Sequence, residues 1–330
     1  MKDKVKNILS FVLRLGLSGL LLWYLFSKID MEKTLDILRT ADLNYIYLAG
    51  GIFLVCQSFL LLRWFIFIKA LKLEAHPLVV TRFFFIGLFG NLFLPSSIGG
   101  DLIKIIGLCK NSSQKPRVVA SVLLDRLSGF ASIVIVAVGA FIVGYRYVNE
   151  PQLILPIALI GVGSIVVAAV LFNERIYGFG CRIFNFFPKV KESLMQMHYD
   201  IMLMQDNKME GFKAIALSIV GQLVYALTFY LSAKALHSDI PLLYFFIFVP
   251  LICVASSLPS IGGLGVREAG AAYFFGKVGV ASEVAISISL ISFLFMIMMG
   301  LLGGVIYVFT LSSGRVQHCS SDADVDPSTT

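Results

Sequence analysis

The chain has 330 residues, 58% hydrophobic and 14% charged, with a formal net charge of +7 and a mean hydropathy of +0.88. Soluble domains average ~25% charged residues, so a soluble enzyme, a nucleic-acid module and a secreted disulfide scaffold are excluded and a membrane protein is expected. Cys56, Cys109, Cys181, Cys253 and Cys319 form no CxxC pair, and His76, His198, His237 and His318 lack ligand spacing. Neither a metal site nor a cofactor is expected.

A bilayer core of ~30 Å needs ~20 apolar residues in a helix. Residues 8–26, 45–68, 118–145, 153–172, 212–233 and 284–311 meet that requirement. The first follows a basic 1–7 segment without a cleavage pattern and is read as a retained helix. Two further apolar stretches, 83–94 and 242–258, are interrupted. The first runs into Pro95-Ser96-Ser97-Ile98-Gly99-Gly100-Asp101 and resumes over 102–109; the second runs into Pro259-Ser260-Ile261-Gly262-Gly263-Leu264-Gly265 and resumes over 266–275. Proline removes a backbone donor and paired glycines free the backbone, so each helix should break there. Both segments are read as re-entrant helical hairpins, because broken backbone at membrane depth survives only against protein or water.

With the amino terminus inside, 17 of the 27 Lys and Arg fall in cytoplasmic segments and six in outer ones. The positive-inside rule then puts both termini in the cytoplasm. The loop 173–213 carries Val190, Leu194, Met197, Ile201 and Met204 on one helical face, which suits the inner membrane surface or a cytoplasmic partner. Residues 312–330 are polar and expected to be disordered.

Gly99 and Gly262 lie 163 residues apart, each in an Ile-Gly-Gly string shortly after Leu-Pro-Ser. The same shift carries 45–68 onto 212–233 and 118–145 onto 284–311. The expected fold is therefore an all-α polytopic membrane protein of about six full spans plus two hairpins. Residues 1–311 form its membrane domain, as two inverted half-repeats over about 8–146 and 153–311. Interrupted helices in matching positions of inverted repeats mark the site of many secondary transporters.

Charges at bilayer depth cost ~2.5–3.5 kcal/mol on insertion scales. Arg14 and Arg63 are expected to snorkel to the inner headgroups. Asp125 and Arg126 lie deeper; as helix neighbours they face apart, so each needs its own partner. They form either a structural pair set or a site lining a polar cavity. At the hairpin tips, Gly99-Gly100 and Gly262-Gly263 are expected just before short helices whose amino ends attract anions. Ser96, Ser97 and Ser260 add hydroxyls, and Lys104 and Arg267 add positive charge. Asp101 and Glu268 either cap their helices or receive an amine or a proton. Asn91 either binds a headgroup or bridges the break.

Asn91-Leu92-Phe93-Leu94-Pro95 with Gly99-Gly100-Asp101, Asp125-Arg126 with Gly129, and Pro259 through Glu268 together resemble the lysylphosphatidylglycerol synthase transmembrane-region family, flippase-like membrane proteins of bacteria and archaea. The resemblance spans about residues 8–311. It implies a lipid flippase or transporter, in the cell membrane of a bacterium or archaeon, that moves a phospholipid or lipid-linked headgroup between leaflets. It also points to Asn91, Asp101, Asp125, Arg126, Arg267 and Glu268. Full synthases carry a large soluble aminoacyl-transfer domain after the membrane part. This chain ends 19 residues past Leu311, so aminoacylation is not expected; with no metal-binding or nucleotide-binding motif in the sequence either, the protein is not expected to be an enzyme. The alternative is a membrane-embedded enzyme or accessory subunit of a lipid-linked glycan pathway. Membrane lipids are the expected partners, nucleic acid is not, and the sequence leaves open a homo-oligomer or a cytoplasmic or membrane-bound partner enzyme.

Overall fold

The computed structural model describes residues 31–93, 98–110, 114–144, 162, 208–256 and 263–321. Regular structure among them is helical throughout: α1 (Met31–Arg39), α2 (Leu43–Ala70), α3 (Pro77–Phe93), α4 (Ile98–Cys109), α5 (Lys115–Gly144), α6 (Lys208–Ala235), α7 (Leu242–Ala255), α8 (Val266–Gly276) and α9 (Ser282–Ser321). Leu43–Ala70, Lys115–Val143, Met209–Ala235 and Ser282–Thr310 are each long and apolar enough to cross a membrane. The protein is an all-α, multi-pass membrane protein. The expected span 8–26, the span 153–172 apart from residue 162, the amphipathic face 190–204 and Arg14 lie outside the described residues.

Several boundaries differ from the sequence reading. α3 begins at Pro77 rather than 83, because proline suits a first helical position and His76 Nδ1 accepts the Leu78 N–H at 3.3 Å. α4 begins at Ile98, so Gly99 and Gly100 form its first turn instead of preceding it. α6 begins at Lys208, inside the stretch read as loop. α9 runs to Ser321 through residues expected to be disordered; extending an existing helix avoids the cost of nucleating a new one. The short α1 was not anticipated. It packs on α9, with Lys33 3.8 Å from Glu283.

The helices α2 to α5 are repeated by α6 to α9. α2 and α6 start 165 residues apart at Leu43 and Lys208, as do α3 and α7 at Pro77 and Leu242. The two central helices run antiparallel: Asp42 N–H bonds Ala235 O at 2.8 Å, Phe53 meets Tyr225, Cys56 bonds Gly221 O at 3.4 Å and Arg63 reaches Ser218. Equivalent helices pointing in opposite directions make this an inverted repeat. The packing obeys the same two-fold exchange, since α3 lies on α9 as α7 lies on α5, and α4 on α3 as α8 on α7.

α3 has 17 residues and α7 has 14, or about 25 and 21 Å at ~1.5 Å per residue. Each is shorter than a bilayer core and folds back through its partner. In the first hairpin, Phe83 lies by Gly107 and Asn91 by Gly100; in the second, Ile252 lies by Gly270 and Ser256 by Gly263. At the second tip Gly263 and Gly265 adopt φ of 78° and 83°, which side-chain-bearing residues rarely adopt. One apolar core gathers Phe229, Phe245, Phe248 and Phe275 beside the second hairpin, and another gathers Trp64, Phe67, Leu71 and Phe84 beside the first. Outward faces expose Leu54, Leu62, Ile142 and Leu301, as lipid-facing helices do.

α9 approaches α3 closely through Gly300, Gly303 and Gly304. A Cβ at Gly303 would fall onto the Phe85 carbonyl, and one at Gly304 would meet the Phe89 ring at 2.7 Å. Small residues allow such backbone contact in membranes. Gly303→Ala is expected to destabilise the protein by about 1–3 kcal/mol through overpacking, read as a lowered unfolding temperature in detergent. Gly139→Ala, where a Cβ meets nothing within 4 Å, serves as the neutral comparison. Equal unfolding temperatures for the two variants would contradict this packing.

Candidate functional site

The first hairpin and its neighbours build a buried ion network. α2 supplies Arg63, α4 supplies Asp101 and Lys104, and α5 supplies Asp125 and Arg126. Arg63 Nε donates to Asp125 Oδ1 at 2.6 Å, and Lys104 Nζ lies 3.8 Å from Asp125 Oδ2 and 3.7 Å from Asp101 Oδ1. Arg126 Nε donates to Asp101 Oδ2. Arg63, Asp101, Lys104 and Asp125 are all buried. Lys104 also sits over the Trp64 and Phe84 rings, 4.9 and 5.1 Å from their centroids, where the aromatic faces offset part of its lost hydration. Trp64 is itself fixed by donating to Ser121 Oγ at 3.4 Å. The network welds α2, α4 and α5 together while leaving no carboxylate in it without a cation.

Asn91 closes the helix break from within. Its Oδ1 accepts the Gly100 N–H at 2.9 Å, satisfying one of the donors that a helix start leaves unpaired. The close approach depends on Gly100, since a Cβ there would meet the Gly87 carbonyl and Asn91 Oδ1.

At the second tip the chemistry is more local. Glu268 Oε2 accepts the Gly265 N–H at 2.8 Å, so it caps its own helix. Its Oε1 takes Arg267 Nη2 at 2.7 Å and Ser289 Oγ from α9 at 3.0 Å. Arg267 Nε also donates to Ser289 at 3.0 Å, and its guanidinium stacks 4.8 Å from the Phe293 ring. Arg267 and Glu268 are buried.

Between the two tips lies a cavity of about 350 Å³. Arg63 of the first network, Arg267 of the second tip and Asn91 line it, together with Gln57 and Gln222 of the central helices and Tyr225. Apolar walls come from Phe53, Leu60, Leu88, Ile133 and Ile252. The arrangement is a mostly apolar pocket with a few polar groups converging on it, the usual form of a small-molecule site.

The sequence-selected residues divide accordingly. Asp101, Lys104, Asp125 and Arg126 come together, Arg267 pairs with Glu268, and Asn91 and Gly263 reach the cavity wall. Ser96, Ser97, Ser260 and Gly262 lie outside the described residues. The snorkelling expectation for Arg63 is overturned: it is 8% exposed and bonded to Asp125. The reason is depth. Arg63 stands seven residues from the end of α2 and Asp125 ten from the start of α5, so the two meet across the interface. That match of depths is a signal the sequence carried. Gln57, Gln222, Ser218 and Ser289 were also missed; Gln57 and Gln222 are 165 residues apart, the spacing of the central helices.

A family description for the lysylphosphatidylglycerol synthase TM region matches residues 11–304. The chain belongs to that family. The match covers both hairpins, both ion clusters and the cavity. A UPF0104 membrane protein of Pyrococcus horikoshii is 25% identical over 318 residues, covering 87% of this chain and 92% of the relative. No solved structure matches the chain.

Proposed function

We propose that this member of the family moves the polar headgroup of a phospholipid or lipid-linked molecule between leaflets, through the cavity at the two hairpin tips. The supporting observation is that cavity: inverted broken helices converge on it, and each half contributes a buried arginine to its wall. A path for a headgroup needs polar groups at membrane depth and apolar flanks for the acyl chains, and its two-fold build allows the site to face either side in turn. Reconstitution into liposomes carrying fluorescent lipids of several headgroups tests it. Protein-dependent bleaching of inner-leaflet label by an external reductant supports the reading; rates equal to protein-free liposomes overturn it.

We place the protein in the cell membrane with both termini cytoplasmic. Removing Lys104, which is buried in the ion network, leaves 16 cytoplasmic Lys and Arg against six outside, and the bias persists. A reporter fused after Arg315 should read cytoplasmic and one inserted at Asn149 external. An external carboxyl terminus would overturn this orientation.

A further inference from the structure

We propose that Lys104 is the proton carrier of the transport cycle, giving a proton to water on one side of the membrane and taking one back on the other, so that one proton crosses for each headgroup moved. This rests on the translocation reading and adds its source of energy. Three observations carry it.

The first is the charge count. Among the described residues the two tips hold Arg63, Lys104, Arg126 and Arg267 against Asp101, Asp125 and Glu268, a formal excess of one positive charge. Arginine keeps its proton in proteins. Protonating Asp101, Asp125 or Glu268 would leave an arginine without its counter-ion at membrane depth, which is costly. Loss of one proton from Lys104 instead leaves three arginines against three carboxylates. It is the one change of protonation in these clusters that matches every remaining charge. The N–H bond breaks with its electron pair left on Nζ, and the proton passes to water.

The second is geometry. Arg63 takes Asp125 Oδ1 at 2.6 Å and Arg126 takes Asp101 Oδ2, while Lys104 faces the other oxygen of each carboxylate from 3.8 and 3.7 Å. Both distances lie outside hydrogen-bond reach, so these carboxylates hold the ammonium through space only. The surroundings of Nζ pull both ways. Asp101, Asp125 and the Trp64 and Phe84 rings favour the charged amine. Burial and the guanidinium groups of Arg63 and Arg126 favour the neutral one. α3, which packs on α4, brings one ionisable residue, Arg82, and that side chain is exposed.

The third is position. Asp125 connects Lys104 to Arg63, on the cavity wall. Asp101 connects it to Arg126, whose side chain is 30% exposed. Lys104 therefore stands between two ends of the network that can be reached from outside it. Movement of α4 against α5 changes which end is nearer, and in alternating access a coupling site must be reachable from each side in turn.

The test uses the purified full chain in liposomes, with fluorescent phosphatidylglycerol or phosphatidylethanolamine placed in the inner leaflet. The membrane potential is held at zero and a pH step is imposed across the membrane. One proton per lipid should shift the final leaflet ratio about tenfold per pH unit, since both represent the same free energy. Reversing the step reverses the shift, and its sign names co-transport or exchange. Lys104→Met, always neutral, and Lys104→Arg, always charged, should both carry label to equal leaflets under every step, whatever their rates. A structural lysine would change the rate and leave the shifted ratio, because the ratio is set by equilibrium. Wild-type movement to equal leaflets at every step overturns the proposal and leaves translocation standing, whether or not the variants fold. A folded variant that keeps the shifted ratio overturns it as well, as do two folded variants that move no label. No movement by the wild type under any step sinks the translocation reading and this proposal with it.

Discussion

Asp125→Ala is expected to destabilise the folded protein by about 3–5 kcal/mol, the range for removing one partner of a buried ion pair. Asp125 is 4% exposed and serves two cations, Arg63 at 2.6 Å and Lys104 at 3.8 Å. Its loss strands Arg63 beside Ser218, a neutral acceptor at 3.4 Å. Lys104 keeps Asp101 at 3.7 Å, so most of the damage should come from Arg63. Removing both partners separates the pair from the charge left behind: Arg63→Met with Asp125→Leu should recover most of the loss, as apolar replacement of buried pairs often does. Unfolding temperatures in detergent give the comparison. An Asp125→Ala variant within about 0.5 kcal/mol of wild type, the usual effect of an innocuous substitution, would contradict the network.

Arg267→Ala is expected to reduce lipid movement at least about tenfold, from loss of one charge-assisted contact worth ~1.5–3 kcal/mol, while folding suffers less than in Asp125→Ala. Glu268 would keep the Gly265 N–H at 2.8 Å and Ser289 Oγ at 3.0 Å, two donors that continue to satisfy its carboxylate. Arg267→Lys should recover only part of the rate, because an ammonium cannot both pair with Glu268 and present a second face to the cavity as the guanidinium fork does. Transport assays normalised to reconstituted, folded protein distinguish a lost site from a lost fold. Wild-type rates in Arg267→Ala would make this arginine a structural partner of Glu268.

The sequence made the large features legible because each rests on a strong local signal. The four long described spans are runs of apolar residues at helical length, and the hairpins are runs too short to cross that end in proline and glycine. Repetition of Leu-Pro-Ser and Ile-Gly-Gly exposed the halves, the span order with its Lys and Arg bias implied their inversion, and α2 and α6 do run antiparallel. Legibility fell where partners come from elsewhere in the chain. Arg63 reads as an anchor when its own helix is considered, and becomes an interior cation only once α5 brings Asp125 alongside. Gly99 and Gly100 read as breakers, yet they sit within the first turn of α4, where the Gly87 carbonyl and the Asn91 side chain lie too close to leave room for a side chain at Gly100. Gln57 carried only a faint signal, its 165-residue offset from Gln222, since one amide in a long apolar run has no period or motif of its own.

The two hairpins are equivalent in backbone and unequal in how they are moored. α4 is tied to α5 by ions, through Asp101 to Arg126 and Lys104 to Asp125. Peeling it away would pull opposite charges apart at membrane depth, where each separated charge is costly. α8 carries its ion pair on board, Arg267 with Glu268, and its described polar ties to α9 are the bonds to Ser289. It can shift with its charges still matched. A two-fold molecule whose halves were identical would rock evenly. Here the ionic share of that cost falls on the first hairpin alone, because α8 would take its matched charges with it.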